Sequence, residues 1–468
     1  MTIADKLVYL NETKQLLKSS IKSLGYYLDS DTPFRQYVMP LLEEATALLS
    51  DFSGQRHKLY EDQSGLDVVT DGLGFDDVWD ITRGSTATYF NRLGIIAEAG
   101  INEARTTHDP SSLNSSVTEI DLDEVRRKQI VEVVLEDVHS FSEGDTLAFT
   151  DEANENNFFY GTVVRVGDSS SELTLRVTSK AGTGLIGNWV VIKSLGLLIE
   201  GQRTRLNTIA AAPTAPESVT VAAVEHTISF FGTGSVTLSG VATGELVGAG
   251  ANSRVTLTFT PTAGTLTLTP SGAVTDLQLE ARVPGQATAF ATSVIRGEGS
   301  QVTRAADNAI RAIAGEVSVN GFAIFCEFES LSGVASDAGV FTISAGVQNT
   351  GISLRKRNTT QSSVILRTES GLNFVDLAVP INSGKHKAAI SITKSGGVSF
   401  AVDGQYSGQV STNVLDYSSL IENIYLGKNT TTGEGNATGY TADIIKKFVL
   451  IPRALSEAEL IALTAPEA

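Results

Sequence analysis

The chain has 468 residues, which corresponds to about three domains of ordinary size. Its formal net charge of −18 argues against nonspecific binding to nucleic acid or to anionic membranes, because both carry negative charge and would repel it. A single cysteine excludes a disulfide framework and a cysteine-based zinc site, and a hydrophobic content of 41% is sufficient for packed cores.

Residues 1–52 are predicted to form a helical N-terminal anchor or oligomerisation segment. Apolar side chains recur there in alternating steps of four and three residues, with a lysine filling the one gap, as in the heptad pattern of a coiled coil. The seam consists of Ile3, Leu7, Leu10, Lys14, Leu17, Ile21 and Leu24. Because a short isolated helix is only marginally stable in water, it needs a partner. That partner is either other copies of the chain or the following apolar positions, Leu41, Leu42, Leu48 and Leu49.

The next two segments are predicted to contain short strands. Residues 53–118 are rich in Gly, Asp and Thr, and we expect an irregular, β-containing connector that joins the first sandwich. In residues 119–194, five short β-rich runs are separated by turn residues. This spacing predicts a small inserted β-barrel of the size of an SH3 or OB domain.

Strict alternation of apolar and polar residues dominates the rest of the chain. Gly264 to Thr269, for example, places leucines on one face and threonines on the other. Such period-two patterns indicate antiparallel sheets with one buried face, and we predict two sandwiches, over residues 195–312 and 313–468. Asp403-Gly404 is a hairpin turn signal, and Ser456 is the expected N-cap of a short C-terminal helix.

Several segments resemble proteins of tailed bacteriophages. Residues 12–18 (ETKQLLK) followed by 31–35 (DTPFR) resemble the N-termini of tail and fibre proteins. Three further segments resemble stretches of phage virion proteins. The first begins with 82–90 (TRGSTATYF) and continues with Gly94, Ala104-Arg105 and His108-Asp109-Pro110, and the others are 196–204 (GLLIEGQRT) and 302–307 (VTRAAD). In those proteins a segment like 196–204 usually follows directly after the first of these stretches. About 80 residues intervene here, which supports an insertion at 119–194.

The C-terminal region resembles a second family. Residues 446–456 (KKFVLIPRALS) and the helix after them resemble the closing strand and helix of concanavalin-A-like, laminin-G-type sandwiches. The predicted fold is therefore mostly β and multi-domain. It has an N-terminal α-helical anchor, a small inserted β-barrel and two antiparallel β-sandwiches of jelly-roll or laminin-G-like type, the first of them a carbohydrate-binding type.

Candidate binding residues lie in the last loops of the C-terminal sandwich. Sugar recognition uses aromatic faces for stacking and planar polar groups for hydroxyls. The candidates are Tyr425, Tyr440, Asn429 and Asn436, which ordinary core and loop packing would also explain. No cofactor is required, although the laminin-G resemblance implies Ca²⁺ at the sheet rim. Its candidate ligands are Asp403, Asn429 and Asp443.

These features predict a structural phage protein that is not an enzyme, because no HExxH, Walker A or Gly-x-Ser-x-Gly motif is present. We expect a tail fibre or fibre-like adhesin, located on the virion, that binds host surface polysaccharide. Its other expected partners are virion proteins, through the N-terminal segment, and its own copies in a homotrimer. Nucleic acid, membrane insertion and a signal peptide are not expected, so synthesis would take place in the host cytoplasm. The alternatives are a capsid or tail decoration protein and, as a lesser one, a polysaccharide depolymerase.

Overall fold

The fold is that of a computed structural model. It describes residues 47–52, 56–63, 66–73, 79–83, 87–90, 96–99, 106–116, 118–125, 129–137, 139–167, 171–283, 289–313, 317, 321–331, 338–344, 351–368, 371–411, 422–427 and 442–466. Most of these residues lie in β-strands. Within this part of the chain, no helix has the length and apolar character needed to span a lipid bilayer.

The first described strands lie in the segments predicted to be an anchor and a connector. They are β1 Ala47–Asp51, β2 Arg56–Gln63, β3 Leu66–Leu73, β4 Asp80–Thr82, β5 Ala87–Phe90, β6 Ile96–Ala99 and β7 Thr106–Ser116. The helical prediction for residues 1–52 is wrong at its end, because β1 pairs with β2 on one edge and with the last strand of the chain on the other. A short apolar run is compatible with either a helix or a strand, and here backbone pairing on both edges of β1 makes it a strand. The predicted seam from Ile3 to Leu24 lies outside the described residues.

Residues 119–194 form a curled antiparallel sheet around a core of their own. The strands are β8 Ile120–Asp121, β9 Ile130–Val134, β10 Thr146–Asp151, β11 Phe158–Val166, β12 Glu172–Ala181, β13 Leu185–Ile186 and β14 Trp189–Glu200. The five predicted β runs are confirmed and pair in the order β9–β12–β11–β10–β14. At the centre of the core, the rings of Phe149 and Phe159 stack with centroids 4.5 Å apart, beside the buried Trp189.

The predicted barrel is not closed in the described residues. The hydrogen-bonded path runs from β9 to β14, which also pairs with β7 and with β35. Strand β7 approaches the far edge of the module only at an isolated bridge between Ser116 and Leu135. Hydrogen bonds from side chains take the place of the backbone hydrogen bonds that a closing strand would make with β9. Ser116 Oγ donates to the Val134 carbonyl at 2.7 Å, and Val134 N donates to Thr118 Oγ1 at 2.9 Å. These hydroxyls satisfy the backbone groups of β9 that a closing strand would otherwise pair.

The first sandwich occupies residues 203–304. Its strands are β15 Arg203–Arg205, β16 Glu217–Val221, β17 His226–Gly232, β18 Ser235–Gly240, β19 Gly244–Val247, β20 Gly250–Phe259, β21 Gly264–Ser271, β22 Thr275–Ala281 and β23 Val302–Arg304. They form a five-stranded sheet, β20–β17–β22–β15–β23, and a four-stranded sheet, β16–β21–β18–β19. The predicted alternation is confirmed in β21, where Leu266 and Leu268 are buried in the core and Thr265 is exposed.

The C-terminal sandwich follows the same pattern. Its strands are β24 Asn308–Ala312, β25 Gly321–Ser330, β26 Ala338–Ser344, β27 Gly351–Asn358, β28 Gln361–Thr368, β29 Gly371–Leu377, β30 Gly384–Thr393, β31 Gly397–Val402, β32 Gln405–Tyr406, β33 Val410–Ser411, β34 Asn423–Leu426 and β35 Ala442–Ile451. One sheet contains β32–β31–β30–β25–β35, and the other is β29–β28–β27–β26–β34–β24–β4. Their facing apolar residues form the largest core of the described chain.

Residues from the N-terminal part complete this sandwich. Strand β1 pairs with β35 in one sheet and β4 pairs with β24 in the other. Trp79, next to β4, is buried against Phe52 and Phe448, with ring centroids 5.7 and 6.0 Å away. Its Nε1 donates to Ser50 Oγ at 2.8 Å. The segment expected to connect to the first sandwich therefore contributes strands and a large core residue to the C-terminal one.

A buried charge cluster lies where the two sandwiches meet. Arg83 NH1 donates to Asp307 Oδ1 at 2.9 Å, and Glu200 N donates to Asp307 Oδ2 at 2.8 Å. Arg304 NH2 lies 3.6 Å from Glu200 Oε2, and Ser293 donates to Glu200 through both its N and its Oγ. This cluster, which we call the junction cluster, joins residues from three of the virion-like segments of the sequence.

The C-terminal helix, Glu457–Thr464, covers the outer face of the sheet that contains β25. The predicted N-cap is confirmed. Ser456 and Glu459 form a capping box, in which the Glu459 carboxylate accepts from Ser456 N at 2.8 Å. Leu460 and Leu463 pack against Phe325 and the neighbouring apolar positions of the sheet. Burial of this apolar face holds the short helix in place, because eight residues would not be stably helical alone.

The capping box should make docking of the helix sensitive to acid. Hydrogen bonds from Arg453, opposed in part by burial, hold the pKa of Glu459 at about 2, well below its usual value. A carboxylate with a lowered pKa stabilises the fold above its unfolded pKa and loses that contribution as pH falls through its folded pKa. We expect Glu459→Gln to lower stability at pH 7, with the difference from wild type shrinking from about pH 4.5 towards pH 2. Urea unfolding at several pH values measures this, with Glu457→Gln as control. A difference that does not depend on pH would contradict the expectation.

Candidate functional site

A cleft of about 370 Å³ opens on the C-terminal sandwich beside the end of the helix. Its walls include Glu327, Phe328, Lys385, Asp403 and Lys446. This volume lies in the lower part of the range of small-ligand pockets, which is about 300–1,000 Å³.

Strand alternation places the charged residues of the cleft. On the outer face of β25 and β30, the neighbouring positions Phe325 and Ala389 are apolar and covered by the helix. Further along the same face the residues become charged, and Lys387 lies opposite Glu327, which lies opposite Lys447. Lys447 Nζ is 3.6 Å from Glu327 Oε2. Charges alternate across three neighbouring strands, which is a favourable cross-strand arrangement.

The turn between β31 and β32 forms another wall. Asp403 and Gly404 both have positive φ, 50° and 76°, as a tight hairpin turn of two residues requires. The Asp403 carboxylate accepts from Lys387 N at 3.0 Å and lies 2.7 Å from His386 Nδ1. Gly404 N donates to Thr464 Oγ1 at 3.2 Å, so the helix end fixes the turn. The turn predicted from the sequence thus has a defined place in the cleft.

The remaining wall is aromatic. The rings of Phe328 and His386 lie with centroids 5.6 Å apart, and His386 Nε2 is 3.0 Å from the Asn382 carbonyl. The Phe328 ring belongs to the buried core between the sheets, so the groups that remain for a ligand are ammonium donors and carboxylate acceptors, which match the hydroxyls of a polyhydroxylated ligand. None of the lining residues in the described chain is Ser, Thr or Cys, so this lining offers no hydroxyl or thiol nucleophile.

The predicted sugar-binding residues are only partly described. Tyr425 lies on β34, half-buried, between the buried Ile424 and Leu426. It pairs in register with Ile310 and Thr342, and burial, followed by the nearby Glu422, raises its pKa. Tyr425 is thus a sheet residue and is not among the residues that line the cleft. Tyr440, Asn429 and Asn436 lie outside the described residues, and their role stays a prediction.

The two described Ca²⁺ candidates contact different side chains, on different strands. Asp403 contacts His386, whereas Asp443 is buried and contacts Lys356 Nζ at 2.5 Å. No group of three or more potential metal-ligating His, Cys, Asp or Glu side chains occurs in the described part of the chain. Asn429 lies outside that part, so the predicted three-residue site stays a prediction.

The charged residues of the cleft could have been found from the sequence. Both β25 and β30 are apolar over most of their length, yet their ends carry Glu327, Lys385 and Lys387. A change from apolar to charged residues at alternating positions marks the point where an outer sheet face loses its cover. Only the tertiary structure shows that the two ends lie side by side.

No protein-family model matches this chain, and no curated protein has significant sequence similarity to it. Among solved structures, the chain is similar to the CBM40 of the Ruminococcus gnavus IT-sialidase bound to α2,6-sialyllactose, with 18% identity and a TM-score of 0.27. The alignment covers 32% of this chain and 85% of that one. A leech intramolecular trans-sialidase complexed with 2,7-anhydro-Neu5Ac has 18% identity and a TM-score of 0.27, over 31% of this chain and 23% of that one.

A third similar structure is of botulinum neurotoxin type C, whose cell entry depends on interaction with two ganglioside molecules. It has 14% identity and a TM-score of 0.28, and the alignment covers 34% of this chain and 39% of that one. At these TM-scores and identities, the similarities establish neither a common family nor a common ligand.

Proposed function

We propose that this protein is a structural component of a tailed-phage particle, a tail fibre or fibre-like adhesin that binds host surface glycans. In this role the N-terminal segment joins other virion proteins and its own copies in a homotrimer, and the sandwiches face outward. Binding requires no bond to be broken, and many weak sites on one particle give strong attachment through avidity. The phage assignment is supported by the sequence segments that resemble virion proteins.

The observation that carries the glycan proposal is the cleft beside the C-terminal helix. It brings side chains of both charges, among them Lys385 and Asp403, together in one cavity. Lys385 is exposed at its rim, where its ammonium can donate to a ligand oxygen. Sugar hydroxyls are bound through many such hydrogen bonds to a few precisely placed polar groups.

A glycan array probed with the full-length protein, with and without Ca²⁺, tests the proposal. We expect binding to host envelope polysaccharide, and Lys385→Glu should weaken it about tenfold, because a hydrogen bond from a charged donor is lost. Lys394→Glu is the matched control. It makes the same charge change in an exposed lysine just beyond the other end of β30, about 30 Å away along the strand.

Two outcomes would count against the proposal. If no glycan binds with or without Ca²⁺, the attachment role loses its support. If both lysine variants weaken binding equally, the effect comes from overall charge and the cleft is not the site.

One observation favours a second function, that of a capsid or tail decoration protein. The inserted module exposes apolar side chains, with Leu185 65% and Val134 49% accessible. Where exposed apolar side chains form a contiguous patch they mark protein–protein contacts, whereas single ones are common on any protein surface. Localisation by electron microscopy separates the two functions. A distal fibre position supports attachment, and a repeating position on the head or tube supports decoration.

A further inference from the structure

A lysine and an aspartate meet inside the C-terminal sandwich, between its two sheets. Lys356 lies on β27 of one sheet and Asp443 on β35 of the other. The side chain of Lys356 is 1% exposed and that of Asp443 is fully buried. Lys356 Nζ donates to Asp443 Oδ1 at 2.5 Å and to Ser330 Oγ at 2.6 Å. The amine nitrogen therefore lies against a carboxyl group, out of contact with water.

The buried Lys356–Asp443 ion pair is incompletely hydrogen-bonded. Asp443 Oδ2 is buried and has no hydrogen-bond partner among the described residues. A buried ion pair repays the desolvation of its two charges only when the remaining lone pairs and protons are also satisfied. Burial lowers the pKa of Lys356, although the Asp443 carboxylate partly opposes this. The site thus favours any change that removes both charges and the unpartnered oxygen together.

We propose that Lys356 and Asp443 condense to an intramolecular amide bond that covalently joins the two sheets. The Lys356 ammonium transfers one proton to the carboxylate, and the neutral Nζ attacks Cγ. The new C–N bond forms as one C–O bond breaks. That oxygen leaves as water, with a second nitrogen proton relayed through the Ser330 hydroxyl. One water is released, and nothing is oxidised or reduced.

Three features of the site favour this reaction. The two groups are held in contact, which replaces a bimolecular encounter by an intramolecular one. Exclusion of water removes the competing hydration of the amine and carboxyl groups. The product amide is neutral, so the cost of keeping two ions in the interior disappears. The bond would tie β27 to β35 against shear, and it does not depend on the proposed function.

The test is the intact mass of the full-length protein, measured after denaturation. We expect wild type to be lighter than its sequence predicts by the mass of one water, and Lys356→Arg to show no such deficit, because guanidinium is not acylated. After trypsin digestion, the segment 429–446 should be recovered joined through Asp443 to the dipeptide Lys356-Arg357.

A control is built into the chain. Lys446 and Lys447 also lie near a carboxylate, that of Glu327, at 3.8 and 3.6 Å, but these side chains are partly exposed, and no joined peptide is expected from them. Because the wild-type measurement is decisive by itself, a variant that fails to fold does not weaken the test. A wild-type mass equal to that of the sequence, with 429–446 recovered as a free peptide, would overturn the proposal.

Discussion

Replacing Asp307 with alanine is expected to lower the free energy of unfolding by about 3–5 kcal/mol. Asp307 lies at the centre of the junction cluster, where its side chain is 2% exposed. It accepts from Arg83 and from the backbone N of Glu200, and its Oδ2 lies 3.9 Å from Arg304 NH1. Without it, two guanidinium groups keep their charge in the interior but lose this carboxylate. The penalty is therefore the cost of buried guanidinium charge that has lost part of its compensation.

The measurement is urea unfolding followed by the fluorescence of Trp79, in a Trp189→Phe background that leaves one tryptophan in the chain. Asp376→Ala is the matched control, because it breaks an ion pair with Arg357 whose side chains are about one-third exposed. Exposed pairs contribute about 0–1 kcal/mol. If the two variants lose similar stability, the junction cluster does not hold the sandwiches together.

Replacing Trp79 with alanine is expected to destabilise the C-terminal sandwich by about 3–5 kcal/mol, the usual cost of removing a large buried aromatic side chain. Trp79 is 2% exposed and fills space between Phe52 and Phe448. Loss of the indole would leave a cavity at the point where the N-terminal strands join the sandwich. It would also remove the hydrogen bond to the buried Ser50.

Two internal comparisons sharpen the Trp79 experiment. In Trp79→Ala the remaining tryptophan, Trp189, reports the inserted module, whose core excludes Trp79 although β14 continues into the C-terminal sheet, so its unfolding transition should move less than that of the C-terminal sandwich. Circular dichroism should show a second, earlier transition from the C-terminal sandwich. Trp79→Phe keeps an aromatic ring and should lose less stability than Trp79→Ala. If only the Trp189 transition moved, Trp79 would not belong to the core of the C-terminal sandwich.

Both predictions concern positions far from their partners in the sequence. Arg83, Glu200 and Asp307 belong to three segments singled out by their resemblance to virion proteins, and the fold brings them into one buried cluster. This gives the segments a physical role, which is to neutralise one another where two sandwiches meet. We infer that they set the relative orientation of the sandwiches.

Local patterns in the sequence predicted several features correctly. Alternation predicted the strands of both sandwiches and the buried face of β21. Asp403-Gly404 predicted a tight turn, and Ser456 predicted the start of the helix. Each of these depends on interactions among residues close together in the chain, so the residue types alone are informative. The charged wall of the cleft is likewise indicated by a local pattern, the change from apolar to charged residues at the ends of β25 and β30.

By itself, the sequence determined most strands of the two sandwiches and of the inserted module, the buried face of β21, the Asp403-Gly404 turn and the start of the last helix. Only the tertiary structure decided the pairing of β1 and β4 with the C-terminal sandwich, the open edge of the inserted module, the cleft and the contact of Lys356 with Asp443. The reason is that a period-two pattern specifies the face that a side chain occupies but not the strand that pairs with it. Partners are selected by packing and by neutralisation of buried charge, and in this chain these act between residues that are often more than a hundred positions apart.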